Sequence, residues 1–253
     1  MSGSPLWLTE TQFARLQPLL PNKPRGVPRV DDRRVLSGIL HVLRNGLMWR
    51  DAPACYGPYK TLYNRFVRWS EAGVFARLFT ALAAERDETG MVMIDATHIT
   101  AHRTAASLQK KRALPRAIGR TRGGLTSKLH AVCDGAGKPV TFLLTAGQVS
   151  DIRGAERLLP TLPAAGTLLA DKGYDSDRFR AALTQRGISP CIPGRVHRKK
   201  PIDYDPELYK QRNLIERMFG RLKDWRRIAT RYDRCAHTFF SAICLAATVL
   251  FWL

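Results

Sequence analysis

The chain has 253 residues, with 41 Lys and Arg against 21 Asp and Glu, a formal net charge of +20 and a sequence pI of about 10.5. That length can bury a sizeable core, in one large domain or in a small domain followed by a medium one. The charge points to a polyanionic partner, the alternative being a merely soluble basic protein. Five scattered cysteines, Cys55, Cys133, Cys191, Cys235 and Cys244, form no CxxC pair; they exclude a disulfide scaffold and read as reduced, mostly buried residues of a cytoplasmic protein. The first ten residues have no basic start followed by an apolar core, so no secretory signal is expected.

Up to about residue 88 the pattern is helical. Thr9 and Gln12 have capping-box spacing ahead of Phe13, Leu16 and Leu19, and prolines then break the chain over 21–28. A second helix follows Asp31, turns Val35, Leu36, Ile39, Leu40 and Leu43 inward, and stops at Asn45-Gly46. After the turn Tyr56-Gly57-Pro58, a third helix over about 60–69 buries Leu62, Phe66 and Trp69 and leaves Lys60, Asn64, Arg65 and Arg68 for solvent or DNA. Helix, turn and basic helix predict a helix-turn-helix-like arrangement whose second helix would enter a major groove. A short helical array with a solvated basic face fits the same pattern.

From Met91 the pattern becomes strands: MVMIDA, about SKLHAVCD, a turn at Asp134-Gly135, and PVTFLLTA, an antiparallel meander. A helix near 152–159, the strand GTLLAD, a helix over 177–186 and the short strand ISPCIP follow. The prediction is a mixed α/β sheet with helices on both faces. The apolar tail over 239–253 is shorter than the roughly 20 residues a bilayer span needs and reads as a buried core helix, with no membrane association.

Two aspartates, Asp95 and Asp171, are expected at strand ends, where distant residues of a mixed sheet meet. Residues 209–223 place Tyr209, Arg212, Glu216 and Lys223 on one face of a helix, opposite Leu214, Met218, Leu222 and Trp225. Three carboxylates with flanking cations suit Mg²⁺, which takes hard oxygen ligands, and a pair of such ions suits phosphodiester displacement. Each acid taken singly also reads as an ordinary strand-end or surface group. Asp134, Asp151, Asp175 and Asp177 are assigned to turns and helix starts, and His98 and His102 have metal spacing but no third ligand.

The segments IDATHITAHR, GRTRGGLTSKLHAV, AGQVSDIRGA, LLADKGYDSD and RNLIERMFGRLKDWRRIATRYDR resemble the bacterial insertion-sequence transposases of the DDE superfamily, in particular the insertion-sequence-five group. The resemblance spans nearly the whole chain, and Tyr209, Arg212, Glu216 and Lys223 match the Y-x2-R-x3-E-x6-K signature at every position. It implies an all-helical DNA-end-binding domain over 1–88 and an RNase H-like catalytic domain over 89–253. It further implies catalytic acids Asp95, Asp171 and Glu216 holding two Mg²⁺ ions, with Mn²⁺ able to substitute, and Asp95 bridging both. Arg212 and Lys223 would hold phosphates, and Tyr209 would contact the DNA backbone.

The implied activity is metal-dependent cleavage at terminal inverted repeats of double-stranded DNA, and joining of the freed 3′-OH to target DNA by a synaptic homodimer at the nucleoid. The members that release the second strand through a hairpin carry an inserted β-rich domain between the second Asp and the Glu. Here only 172–215 separate the two, which speaks against that route. A non-catalytic DNA-binding derivative and a host nuclease of the same fold are the alternatives. DNA contact is expected from basic clusters at Lys110, Lys111, Arg112, Arg116, Arg120 and Arg122, at Arg195, Arg198, Lys199 and Lys200, and at Arg226, Arg227, Arg231 and Arg234, besides Lys60, Arg65 and Arg68.

Overall fold

The computed structural model describes residues 4–22, 30–87, 90–107 and 116–253. Lys110, Lys111 and Arg112, most of the 21–28 break and the expected boundary at 88–89 lie outside these residues. In chain order the first half runs α1 (Glu10–Leu16), α2 (Asp32–Asn45), α3 (Tyr59–Glu71), α4 (Val74–Ala84), β1 (Met91–Ala101), α5 (Arg103–Ala106), β2 (Gly119–Thr121) and β3 (Gly124–Asp134). The second half runs β4 (Pro139–Ala146), α6 (Asp151–Leu158), β5 (Thr167–Leu169), α7 (Asp177–Gln185), β6 (Ser189–Cys191), α8 (Pro206–Lys210), α9 (Asn213–Lys223), α10 (Arg226–Ala229), β7 (Thr230–Arg231) and α11 (Ala236–Ala247).

These elements form two compact units that interleave in sequence, one of Met1–Leu82, Ala101–Arg116 and Arg221–Leu253, the other of Ala83–Thr100 and Ala117–Gly220. In the first unit α1 begins with the expected capping box, Gln12 N–H donating to Thr9 Oγ1 and Thr9 N–H to Gln12 Oε1, both at 3.1 Å. Asp31 caps α2, which ends at Gly46 with φ +73. Leu36, Ile39, Leu40 and Leu43 of α2, Leu62 and Phe66 of α3, and Phe239, Ile243 and Ala246 of α11 are completely buried. The C-terminal apolar stretch thus belongs to the helical core, because the stripes of α2 and α3 need a third apolar surface. Among the described residues no helix is long and apolar enough to cross a membrane.

Between α2 and α3 lie 46–58, with 3₁₀ turns at Trp49–Asp51 and Ala54–Tyr56. That is much longer than the three- or four-residue turn of a helix-turn-helix, so the helical-array reading replaces it. Nor is the basic face of α3 wholly free. Lys60 and Arg68 are exposed, but Arg65 pairs with Asp32 and lies 4.9 Å over the Trp69 ring.

The second unit is built on a mixed sheet. β1 pairs antiparallel with β3 from Val92↔Asp134 to Thr100↔Thr126, and β3 pairs on its other edge with β4 and with the short β2, a strand the sequence pattern did not mark. On its free side β1 pairs parallel with β5, and β5 with β6. One face packs Val92, Ile94, Val132, Leu168 and Ala170 against Ala155 and Leu158 of α6 and Phe179 and Leu183 of α7. Met93, Ala131 and Cys133 on the other face are also buried. The meander followed by two parallel strands matches the expected order of elements.

Candidate active site

Main-chain register brings the first two acids together. Strand β1 does not end at Asp95 as expected; it runs on to Ala101, because β3 is equally long and Thr97, Ile99 and Thr100 favour extended backbone. What ends beside Asp95 is the parallel neighbour. The last β1–β5 pair is Met93↔Leu169, and two residues further along each chain stand Asp95 and Asp171. With a side-chain period of two, both acids project on the face of Met93 and Leu169. Across the antiparallel side, β3 offers only Ala131 opposite Asp95. Asp171 caps a 3₁₀ turn over Lys172–Tyr174, its Oδ1 accepting the Gly173 N–H at 2.8 Å.

The third acid arrives on a broken helix. Residues 209–223 do not form one continuous helix. Tyr209 lies in the last turn of α8, Arg212 lies in the link, and Glu216 lies in the first turns of α9. The link is closed by i→i+3 bonds, from Arg212 N to Tyr209 O at 3.0 Å and from Ile215 N to Arg212 O at 3.2 Å. The α9 start is braced by the β3–β4 hairpin, whose Gly137 at φ +77 leaves 3.0 Å between an added Cβ and Leu214 Cβ. Asp134 holds that hairpin as expected, accepting from Ala136 N and Lys138 N.

Arg212 ties the acids together. Its Nη1 donates to Asp95 Oδ2 at 2.8 Å and its Nη2 to Glu216 Oε1. The Tyr209 ring centre lies 5.8 Å from the guanidinium, with Tyr204 edge-on to Tyr209. Asp95 is mostly buried, and that burial raises its pKa, with a further push from Asp171; the Ala96 N–H and Arg212 work against the rise. Burial by itself would weaken the Arg212 cation, but Asp95 and Glu216 foremost, then Tyr209 and Asp171, hold its pKa above the ordinary value. Lys223 ends α9 in the other compact unit, its pKa lowered by burial.

Beside this cluster stands a second one that the sequence reading missed. Asp175, assigned from sequence to a helix start, is buried and accepts from Arg180 Nε and Arg198 Nη1, each at 2.9 Å, and from Arg195 N–H at 2.8 Å. Its burial favours the neutral acid, but the Arg195 N–H and the two guanidinium groups outweigh that and hold its pKa below the ordinary value. Arg195 also donates to the carbonyls of Lys172 and Gly173, and Arg198 pairs with Asp177. Two of the four cations expected to face DNA are therefore fastened to the segment that follows Asp171, whereas Lys199 and Lys200 are exposed. The acid run at Asp171, Asp175 and Asp177 facing a basic run at 195–200 was the available signal. Arg120 and Arg122 are exposed at the β2–β3 hairpin. In the third cluster Arg227 and Arg231 are buried, donating to the carbonyls of Leu47 and Asp233, and serve packing.

Among the described residues the histidines belong to no metal-holding cluster. His98 contacts the Gly147 carbonyl at 3.1 Å, and His102 caps the short α5. Tyr174 is buried, its hydroxyl finds no hydrogen-bond partner among the described residues, and burial followed by the charges of Asp95, Asp151 and Asp171 pushes its pKa far up.

Residues 8–79 match a family model described as "Putative transposase of IS4/5 family", and residues 87–252 match one described as "Transposase DDE domain". A protein of Brucella ovis named "Putative transposase for insertion sequence element IS6501" is 35% identical over 130 residues, covering 51% of this chain and 99% of that protein. One of Burkholderia cepacia named "Putative transposase for insertion sequence element IS402" is 32% identical over 149 residues, 54% of this chain and 67% of that one. Among solved structures, the piggyBac transposase synaptic complex with hairpin DNA superposes with a TM-score of 0.56 at 9% identity, covering 94% of this chain and 69% of that one. That likeness speaks for the fold alone, and the fold is RNase H-like with an all-α region before it. With two thirds of its length under the second family model, the chain belongs to the DDE transposase family and is an enzyme of that class.

Proposed function

We propose that Asp95, Asp171 and Glu216 are the catalytic acids of a transposase that cuts DNA at the terminal inverted repeats of its element and joins the freed 3′-OH to target DNA. The observation that carries this reading is that Arg212 pairs with both Asp95 and Glu216, distant in the chain, with Asp171 in electrostatic reach. Membership in the family carries dependence on a divalent metal. The donor set fits such an ion by its chemistry, being three hard oxygen acids with no thiolate or imidazole among them. The oxygens are arranged around Arg212; among the described residues no three His, Cys, Asp or Glu side chains stand close enough to hold a metal.

Asp95, Asp171 and Glu216 would hold Mg²⁺, two ions in our reading, with Mn²⁺ able to replace it. Held by these acids, the ion would supply Lewis-acid stabilisation of the phosphodiester oxygens. The protein's own groups do the rest. Arg212 and Lys223 grip phosphate oxygens, Arg212 by its planar fork, and Tyr209 lies against the backbone beside Arg212. The sheet fixes Asp95 and Asp171 before DNA arrives, so no reorganisation is needed at the two aspartates. Lys60 and Arg68 in the one unit, and Arg120, Arg122, Lys199 and Lys200 in the other, would add phosphate contacts. The helices of 1–88 recognise the element ends, two copies hold two ends together, and the protein acts in the bacterial cytoplasm.

The test is cleavage of duplexes carrying the inverted repeats that flank the reading frame, with scrambled ends as control. Asp95→Asn abolishes cleavage and leaves DNA binding in place. Undiminished cleavage by that variant would refute the assignment, and equal cleavage of scrambled ends would point to a general nuclease.

A further inference from the structure

We propose that Arg212 is an internal counter-cation that competes with metal for the acids and is drawn off by a DNA phosphate, so that metal loading and DNA binding strengthen each other. The proposal rests on the reading of Asp95, Asp171 and Glu216 as the metal-holding acids.

The contacts of Arg212 carry it. The guanidinium spans two of the three acids, spending one oxygen each of Asp95 and Glu216. The other Asp95 oxygen already accepts the Ala96 N–H at 2.8 Å, and Asp171 Oδ1 is taken by Gly173 N–H. A dication entering between Asp95 and Glu216 meets a fixed positive charge there and must share oxygens already engaged. The acids are thus gathered on either side of a guanidinium rather than closed into a ligand set.

Arg212 is also placed to leave. It sits in the short link between α8 and α9, outside both helices, and Glu216 is half exposed. A phosphodiester presents the same pair of acceptor oxygens to the fork that the two carboxylates now present, so transfer costs Arg212 no hydrogen bonds. It frees one oxygen of each acid for metal at the moment the scissile DNA is present. By reciprocity, whatever factor DNA adds to metal affinity, metal adds to DNA affinity. Without DNA the protein carries little metal and spares DNA that is not properly seated.

The test measures free Mn²⁺ by its EPR signal, in titrations of the full chain with Mn²⁺ alone and with a short duplex added, the duplex's own Mn²⁺ uptake being subtracted. Without DNA, Arg212→Gln binds Mn²⁺ about fivefold or more tighter than the wild type, and Arg212→Lys falls between them. Duplex tightens Mn²⁺ binding to the wild type by a similar factor and leaves Arg212→Gln unchanged. Equal or weaker binding by Arg212→Gln, or wild-type binding unaffected by DNA, overturns the coupling; the wild-type arm needs no variant to fold. Asp95→Asn separates this failure from failure of the site. If it loses Mn²⁺ while Arg212→Gln gains nothing, only the coupling is wrong. If it keeps Mn²⁺, the acids have been misassigned and the coupling falls with them.

Discussion

Two knots of arginine and carboxylate stand within one compact unit, and they are tied in opposite ways. At Asp175 one buried acid is held by two guanidinium groups and a main-chain N–H. At Arg212 one cation is shared by two acids, one of them half exposed, with a third acid in electrostatic reach. The first arrangement has excess cation around a buried anion and belongs to the architecture. The second has excess anion around a cation, open to solvent on one side, and attracts further positive charge. The count of each sign, rather than the presence of an ion pair, separates a brace from a reaction site.

Replacing single acids in the two knots should separate them most widely. Asp171→Asn or Glu216→Gln lowers end cleavage by about 10³-fold, as loss of several kcal/mol of metal-assisted catalysis implies, with the melting temperature held near the wild-type value. Asp175→Ala should instead cost about 3–5 kcal/mol of stability, the effect of removing one partner of a buried pair, read as a fall in the denaturant midpoint. Any activity loss in Asp175→Ala should track the fraction unfolded. Equal stability losses at Asp171 and Asp175 would erase the contrast.

Acid should probe the same unit by a separate route. His130 is buried against α6, donating to or accepting from Thr145 Oγ1 at 2.9 Å, and burial lowers its pKa to about 4. The unfolded chain binds a proton near pH 6.5 while the folded one refuses it until about 4, so unfolding free energy falls as pH drops between those values and levels below them. The loss is about 3 kcal/mol at most, and His130→Gln should remove that step. Asp175, with its pKa depressed, contributes stability that is fully present above about pH 4 and is lost only as pH falls through its lower folded value. Gly154→Ala should cost about 1–3 kcal/mol, since an added Cβ would stand 2.1 Å from His130 Nδ1. The smallest stability change is expected for Lys199→Ala with Lys200→Ala, within about 0.5 kcal/mol, while DNA affinity weakens and its salt dependence flattens. Arg198→Ala in the same loop should lose stability, because that cation is already spent on Asp175 and Asp177.

The sequence made the fold legible where the signal was local. The capping box of α1, the stop at Gly46 and the apolar tail each depend on neighbours a few residues away, and each stands where the pattern put it. Where pairing at long range decides, local pattern fell short. β1 extends past Asp95 because β3 is there to pair with it, and residues 209–223 break into two helices despite an unbroken helical period. The fates of the arginines were the least legible. Arg65, Arg195, Arg198, Arg227 and Arg231 carry the same charge as Lys199 and Lys200, but only folding reveals which acids and carbonyls claim them.

The parallel register of β1 and β5 has a consequence for how this chain tolerates change. Asp95 and Asp171 are aimed by counting main-chain residues from Met93↔Leu169, not by a shell of specific side chains. Apolar swaps at Val92, Met93 or Ile94 keep the count. Deleting or inserting one residue between Met91 and Ile94 turns Asp95 to the opposite face of the sheet, toward α6 and α7, while the strand itself can still form. An element carrying such a lesion would set its two aspartates on different sides of the sheet, Asp95 among apolar side chains of the α6 and α7 core.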